Sequence, residues 1–369
     1  MLKKLQIKNF RCFETLTAEN FGRVNLILGA NNAGKTSFLE GLFLATGGAN
    51  PTLLHTIEGV RSFPVSTINF DFWAAFFHNF QHEKAMEFVT VTDQFTENVT
   101  YRLPSSALQQ TIPMPTMGPN SPTLGRDIND SPARTVPQFR TTEITATIDR
   151  QKAGTTQTET VNLVRSTGPN GNPYFSPSPQ ERGLIGPVGV YVSAHTVFLR
   201  LGPVAWFENF KKNKQVDPLY VALRTIEPRL VEITVLEGIL FCDLGLPKML
   251  PLSSLGAGTE WLLKILANLM SARDGYLFID EIESGLHHSI LGKVWELVYK
   301  FAQEYSVQVF ATTHSWEAVT ALAKLVQERA DLAGQTNVYR LERGQDEVKI
   351  VEIGAEAFKT AVEMEWEVR

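Results

Sequence analysis

The stretch "GANNAGKTS", residues 29–37, sets Gly29, Gly34, Lys35 and Thr36 in the spacing G-x-x-x-x-G-K-[ST]. Glycines at those places let the backbone curl, so that successive N–H groups point inward at phosphate oxygens. Lys35 then reaches the β- and γ-phosphates of a nucleotide, and the Thr36 hydroxyl takes a magnesium position. Asn31, Asn32, Ala33 and Ser37 complete the wrapping loop. The apolar run "RVNLIL" before it and "FLEGLFLA" after it read as a strand and a helix, the context such a loop requires.

A second group of chemical residues stands far down the chain. In "YLFIDE" a buried strand ends on Asp280 and Glu281, which brings both acids to the carboxyl edge of a sheet, where α/β proteins bind ligands. Neighbouring strand residues face opposite ways, so the two acids can hold different roles. Asp280 suits a magnesium-water ligand, and Glu281 suits a base for an attacking water. Alone, such an end reads as a helix cap; paired with the lysine loop it reads as a hydrolysis site. Lys35 and Asp280 lie 280 − 35 = 245 residues apart. That is too far for a compact nucleoside kinase or small GTPase, so something large is inserted between the two halves.

The elements that must position these groups are legible in outline. A helix is expected over 35–46, opening on the lysine of the loop, and "LKKLQIKNF" reads as a strand. The last third alternates helix and buried strand: "TEWLLKILANLMSA", "GYLFIDE", "SILGKVWELVYKFAQEY", "VQVFATTH" and "WEAVTALAKLVQERADL". This pattern indicates a parallel sheet of the α/β type. "TNVYRLERG" and "DEVKIVEI" follow as a closing hairpin, and "AEAFKTAVEMEWEVR" as a final helix. Upstream, "MEFVTVTD", "NVTYRL", "TTEITATID" and "ETVNLVR" alternate with period two, which predicts an antiparallel sheet with one wet face. The aromatic "NFDFWAAFFHNF", 69–80, is expected as core or a short helix. Twelve of the nineteen prolines fall between Pro104 and Pro187, so loops are expected there. A buried strand near 187–194 and helical signal over 196–226 complete the pass. No internal repeat and no sustained heptads are visible.

Composition narrows the classes. At 43% hydrophobic and 20% charged, the 369 residues describe a globular protein with a sizeable core. A net charge of −5 argues against a wholesale nucleic-acid coat, though a local basic face stays open. Cys12 and Cys242 support no disulfide framework and suit a reducing cytosol. No signal peptide and no run of 18 apolar residues is seen, so a cytoplasmic protein without a membrane span is expected.

With these residues in place, the chain resembles an ABC-class ATPase of the RecF/SMC/OLD group, above all the stand-alone AAA-type ATP-binding proteins found beside bacterial defence genes. "NFRCF", "GANNAGKTS", "LSSLGAGTE", "LFIDEIESGLHHS" and "ATTHSWEAV" occur in the family's order, covering roughly 1–48 and 185–369. The resemblance implies an α/β P-loop head with a mixed sheet, an antiparallel β subdomain and a helical lobe. It divides the chain into a first part of the core (1–48), an antiparallel β insertion with a Pro/Thr-rich loop (49–184), a helical lobe (185–250) and the second part of the core (251–369). It places His314 against the γ-phosphate, Arg11 near the nucleotide, and the turn with Gly256 and Gly258 over the γ-phosphate held by a second subunit. Asn31 favours the RecF/SMC/OLD side over membrane transporters.

Three departures stand out: Gly256 replaces the signature serine, His287 replaces the D-loop aspartate, and no glutamine loop is evident, Gln81 being a poor candidate. The resemblance covers the core alone, and no Toprim domain is expected. The implied cofactors are ATP and Mg²⁺, and the implied assembly is a homodimer through ATP-sandwiched heads. Expected function is an ATP-hydrolysing switch controlling a nuclease or toxin effector, in antiphage defence. The alternative is a RecF-like module that closes on DNA, with Lys3, Lys4, Lys8, Arg11 and "KKNK" (211–214) as phosphate contacts. A third reading is a nearly inert ATP-bound scaffold.

Overall fold

A computed structural model describes residues 1–60, 73–103, 112–113, 139–152, 154–167, 173–177, 189–193, 203–345 and 347–354, with a few positions between 357 and 362. Most of the proline-rich stretch, part of "NFDFWAAFFHNF" and most of the expected final helix lie outside these residues. The chain opens with β1 (Leu2–Phe10), β2 (Phe13–Glu19), β3 (Val24–Gly29), α1 (Lys35–Thr46) and α2 (Thr52–Val60). Next come β4 (Met86–Thr92), β5 (Thr96–Arg102), β6 (Ile112–Pro113), β7 (Phe139–Lys152), β8 (Thr155–Thr167) and β9 (Pro173–Pro177). β10 (Gly189–Ser193), α3 (Pro203–Lys212), α4 (Asp217–Leu223), β11 (Glu232–Leu236), β12 (Ile239–Asp243) and β13 (Leu250–Pro251) follow. The final part holds α5 (Ala257–Ser271), β14 (Tyr276–Asp280), α6 (Leu291–Glu304), β15 (Gln308–Thr312), α7 (Trp316–Glu328), α8 (Ala330–Ala333), β16 (Thr336–Arg343) and β17 (Val348–Ile353).

A central sheet runs β10-β14-β15-β3-β16-β17, parallel except for β17, which returns antiparallel on β16. Its inner strands are buried on both faces, as a parallel sheet covered on two sides requires. The period of two then sends alternate residues into separate cores. Leu277, Ile279, Val309 and Ala311 enter one cluster with α5, α6 and α7. Phe278, Phe310, Ile27 and Tyr339 enter the other, with α1 and the antiparallel sheet. On that second face an aromatic ladder crosses the strands. Phe278 packs between Phe310 and Phe43 of α1, with ring centroids 5.6 and 6.0 Å away, and Phe310 meets Phe21 at 5.2 Å.

The second sheet follows β2-β1-β4-β5-β7-β8-β9, all antiparallel, with β6 on β7. Two of its strands, β1 and β2, come from before residue 49, so this sheet joins the N-terminus to the inserted strands rather than being built from the insertion alone. An ion pair from half-buried Arg150 to buried Glu97 ties β7 to β5 within it. The stretch expected as a helical lobe keeps α3 and α4, but residues 232–251 add a third sheet, β11-β12-β13. The β-rich "EITVL" and "ILFCD" flank Glu237-Gly238, both at positive φ, a two-residue hairpin turn whose backbone matches strand twist.

Replacing Phe278 by Ala empties the middle of the ladder, two residues before Asp280. The expected cost is about 3–5 kcal/mol. It is measured as a lowered midpoint in denaturant, and an unchanged midpoint contradicts the packing described.

Candidate functional site

The phosphate loop sits where the sheet topology demands. β3 lies between β15 and β16, and its carboxyl end passes through Gly29 into the loop and then into α1. Gly34 stands at φ 103, and a Cβ there would meet the Cys12 sulfur at 2.8 Å, so only glycine fits the turn into the helix. No side chain caps α1, which leaves its first N–H groups for a ligand. Lys35 is only 5% exposed; its ammonium donates to the carbonyls of Gly29 (2.7 Å) and Ala30 (3.0 Å). Burial pushes the Lys35 pKa down, while Asp280, then Glu283 and Glu281, pull it back up.

The acids come to the same edge by way of β14. Asp280 accepts from the Thr36 hydroxyl (3.0 Å), from the Thr312 hydroxyl (2.7 Å) and from Tyr191 (3.4 Å). Thr312 also accepts the Glu281 N–H at 2.9 Å, so one buried hydroxyl from β15 orders both acids. Glu281 itself adopts φ 58, a costly left-handed state that turns its side chain away from the strand path. Its Oε1 lies 3.3 Å from His314 Nε2, both side chains about two-fifths exposed. Thr36 and Asp280 offer hard oxygen donors, the chemistry a magnesium ion prefers. Bound there, the ion would neutralise charge on the phosphates; Thr36 and Asp280 would hold it. A cavity of about 660 Å³ lies in front of the loop, lined by Asn31, Asn32, Gly34, Lys35, Thr36, Ser37 and His314.

Other expected residues do not line this cavity. Arg11 faces a neighbouring cavity instead, its Nε 3.3 Å from Glu40 and its guanidinium 4.0 Å over the Phe76 ring. Gly256 and Gly258 stand at the start of α5, and a Cβ on Gly258 would meet the Gly285 carbonyl at 2.6 Å. That contact locks the Gly-rich turn to the loop after β14. Trp261 strengthens the same link by donating to the Ile282 carbonyl at 2.9 Å. His287 packs on the His288 ring, 4.1 Å away, and takes no part in the cavity. Gln81 accepts the Asn9 amide on its carbonyl and lines neither this cavity nor its neighbour. Lys3 pairs with Asp93, Lys4 with Glu19, Lys8 with Glu87 and Lys211 with Glu232, so these lysines form no bare basic stripe.

Three contributors were not foreseen. Arg343, at the end of β16, donates to the Asn32 carbonyl at 3.0 Å and lines the cavity. No local sequence signal marks it; the parallel register that sets Leu341 beside Gly29 carries it there. Thr312 hides inside "ATTHS", where the histidine draws attention. Glu283 accepts the N–H groups of His314 (2.7 Å) and Ser315 (3.1 Å), so it sets the loop that carries His314. Its place in "DEIES" is the one signal that could have found it.

Comparison with known proteins accords with this geometry. The AAA domain family matches residues 4–233, well over half of the chain. The chain belongs to the AAA domain family. A second profile, described as "AAA domain, putative AbiEii toxin, Type IV TA system", matches residues 185–320. Among curated relatives of this AAA protein, an ATP/GTP phosphatase of Helicobacter pylori is 21% identical over 93% of both chains. An OLD nuclease of Thermus scotoductus is 44% identical over 73 residues, which are 19% of this chain and 12% of the nuclease. A similar solved structure is an Smc head bound to the C-winged helix domain of ScpA, at TM-score 0.48 and 12% identity, covering 96% of this chain and 97% of that one. The AAA protein is an ATPase. Among the described residues no helix is long and apolar enough to cross a membrane.

Glu283→Ala leaves the His314 and Ser315 N–H groups without their acceptor. Hydrogen bonds to a charged group contribute about 1.5–3 kcal/mol, so turnover is expected to fall roughly 10- to 100-fold. Glu283→Gln keeps a carbonyl acceptor and should retain most of the rate. Steady-state phosphate release measures both, and equal rates for Ala and wild type refute the positioning role.

Proposed function

We propose that this ATPase is a switch: ATP draws two copies together face to face, hydrolysis parts them, and the cycle controls a partner effector. One observation carries the reading. Glu281 and His314 stand at an open edge, each about two-fifths exposed, and water cannot be excluded there by this chain alone. A second copy would close that edge. The start of α5 is the surface suited to do so, since it has no side-chain cap and Gly256 faces open space.

In this reading the loop N–H groups and Lys35 bind the triphosphate, Lys35 exchanging its carbonyl partners for phosphate oxygens. Thr36 and Asp280 hold the magnesium ion, and Glu281 takes the proton of the attacking water. His314 contacts the γ-phosphate and, through its 3.3 Å contact, orients Glu281. Gly256 offers no hydroxyl to the partner's nucleotide, so the backbone N–H groups of α5 act there alone. The working division is the head's two parts, 1–48 and 251–369, with 49–184 and 185–250 as the surfaces left for partners. The description of the second family match and the local likeness to an OLD nuclease support a nuclease or toxin effector in cytoplasmic antiphage defence. The paired lysines weigh against a DNA clamp.

Glu281→Gln removes the base while leaving the binding groups in place. A loss of about 10²- to 10⁴-fold in turnover is expected. ATP-bound dimers of the variant should accumulate, read by light scattering on a sizing column. Equal background rates in both proteins would favour the inert scaffold, and monomers at saturating ATP would sink the switch.

A further inference from the structure

A second cavity of about 540 Å³ adjoins the phosphate cavity and shares Cys12, Ser37 and Arg343 with it. We infer that this second cavity holds the base of the nucleotide, stacked on Phe80. The inference rests on the ATPase reading and adds to it the place and the residue that recognise the base.

Direction comes first. His314 lines the phosphate cavity and touches Glu281, so the reacting end of the triphosphate lies on that side. The other end leaves past Ser37, in the first turn of α1, and past Arg343, which is held on the Asn32 carbonyl. Both residues wall the two cavities, so the exit from one is the entrance to the other.

The far wall of the second cavity is built from an unusual turn. Asn79 and Phe80 stand at φ 48 and φ 59, two successive non-glycine residues in the left-handed region. Such strain persists only where the surroundings impose it, and it gathers at ligand clamps. Here the surroundings do impose it. Arg11 donates its N–H to the Phe76 carbonyl at 2.7 Å, and Phe80 donates to the Phe77 carbonyl at 3.1 Å. His78 Nδ1 lies 3.1 Å from the Arg11 carbonyl and so must donate. Its Nε2 is thereby an acceptor, and it takes the Asn79 amide N–H at 3.0 Å.

The product of this pinned turn is an aromatic ring left 63% exposed over a polar cavity, with an amide beside it. Burying that ring in the core would be the ordinary outcome for phenylalanine. A flat, hydrogen-bonding purine fits an aromatic face with an amide edge, because stacking needs the face and the ring's polar rim needs the amide.

Calorimetric titration with ATP and with inorganic tripolyphosphate tests the assignment, because tripolyphosphate has the phosphates and no base. For Phe80→Ala the expected result is an ATP Kd raised about 5- to 150-fold with the tripolyphosphate Kd unchanged. Phe80→Trp should restore ATP binding, and Lys35→Ala should weaken both ligands. An unchanged ATP Kd in Phe80→Ala overturns the proposal, as does an equal loss of ATP and tripolyphosphate. If the wild-type protein binds neither ligand, the ATPase reading itself fails and the base site with it.

Discussion

The Thr36 hydroxyl donates to the Asp280 carboxylate across 244 residues of chain, and the rest of the site is arranged around that contact. Thr36 is the first-turn residue of α1, and Asp280 is the last residue of β14. For them to meet, β3 and β14 must run parallel in one sheet, with β15 between them in register. That order places two strand ends and the intervening Thr312 at one edge, where the chain order reverses and a crevice opens. Lys35, Glu281 and His314 then follow as neighbours of residues already placed.

Holding such an edge still requires rigid support beneath it, and the two faces of the sheet supply it differently. One face is packed by three long helices, whose aliphatic side chains are joined by Trp261, Trp295, Tyr299 and Phe301. The other carries large aromatic rings against α1 and the antiparallel sheet. Interiors packed to solid density transmit small displacements instead of absorbing them. A strand end that carries a catalytic carboxylate therefore inherits the precision of the core a few ångströms behind it.

Two strained stretches stand beside the site. Glu281 and the Asn79-Phe80 turn adopt left-handed backbone states that their side chains disfavour. The turn lines one cavity and Glu281 touches His314 of the other, and both are held by hydrogen bonds from elements distant in sequence. Thr312 fixes Glu281, and the Arg11 backbone fixes the turn. At these two places a departure from local preference coincides with a surface where a ligand would be grasped.

Much of this was legible in the residues alone. The spacing of Gly29, Gly34, Lys35 and Thr36 encodes a backbone shape, and a backbone shape is local. The helix over 35–46 and the parallel α/β pattern of the last third were equally readable, because burial on both faces writes a continuous apolar run into each strand. The hairpin over 232–243 is also written locally, in Glu237-Gly238 between two β-rich runs, within a stretch where the resemblance implies helices. Arg343, Thr312 and the double role of Glu283 were not readable in that way. Their positions depend on which strands pair and in what register, and register is a property of the whole sheet rather than of any segment. The chain's own residue order therefore determined the chemistry available, a phosphate loop and two acids. Only the tertiary structure decided which side chains stand beside them, because contacts between residues hundreds of positions apart follow from shared burial, which no local pattern records.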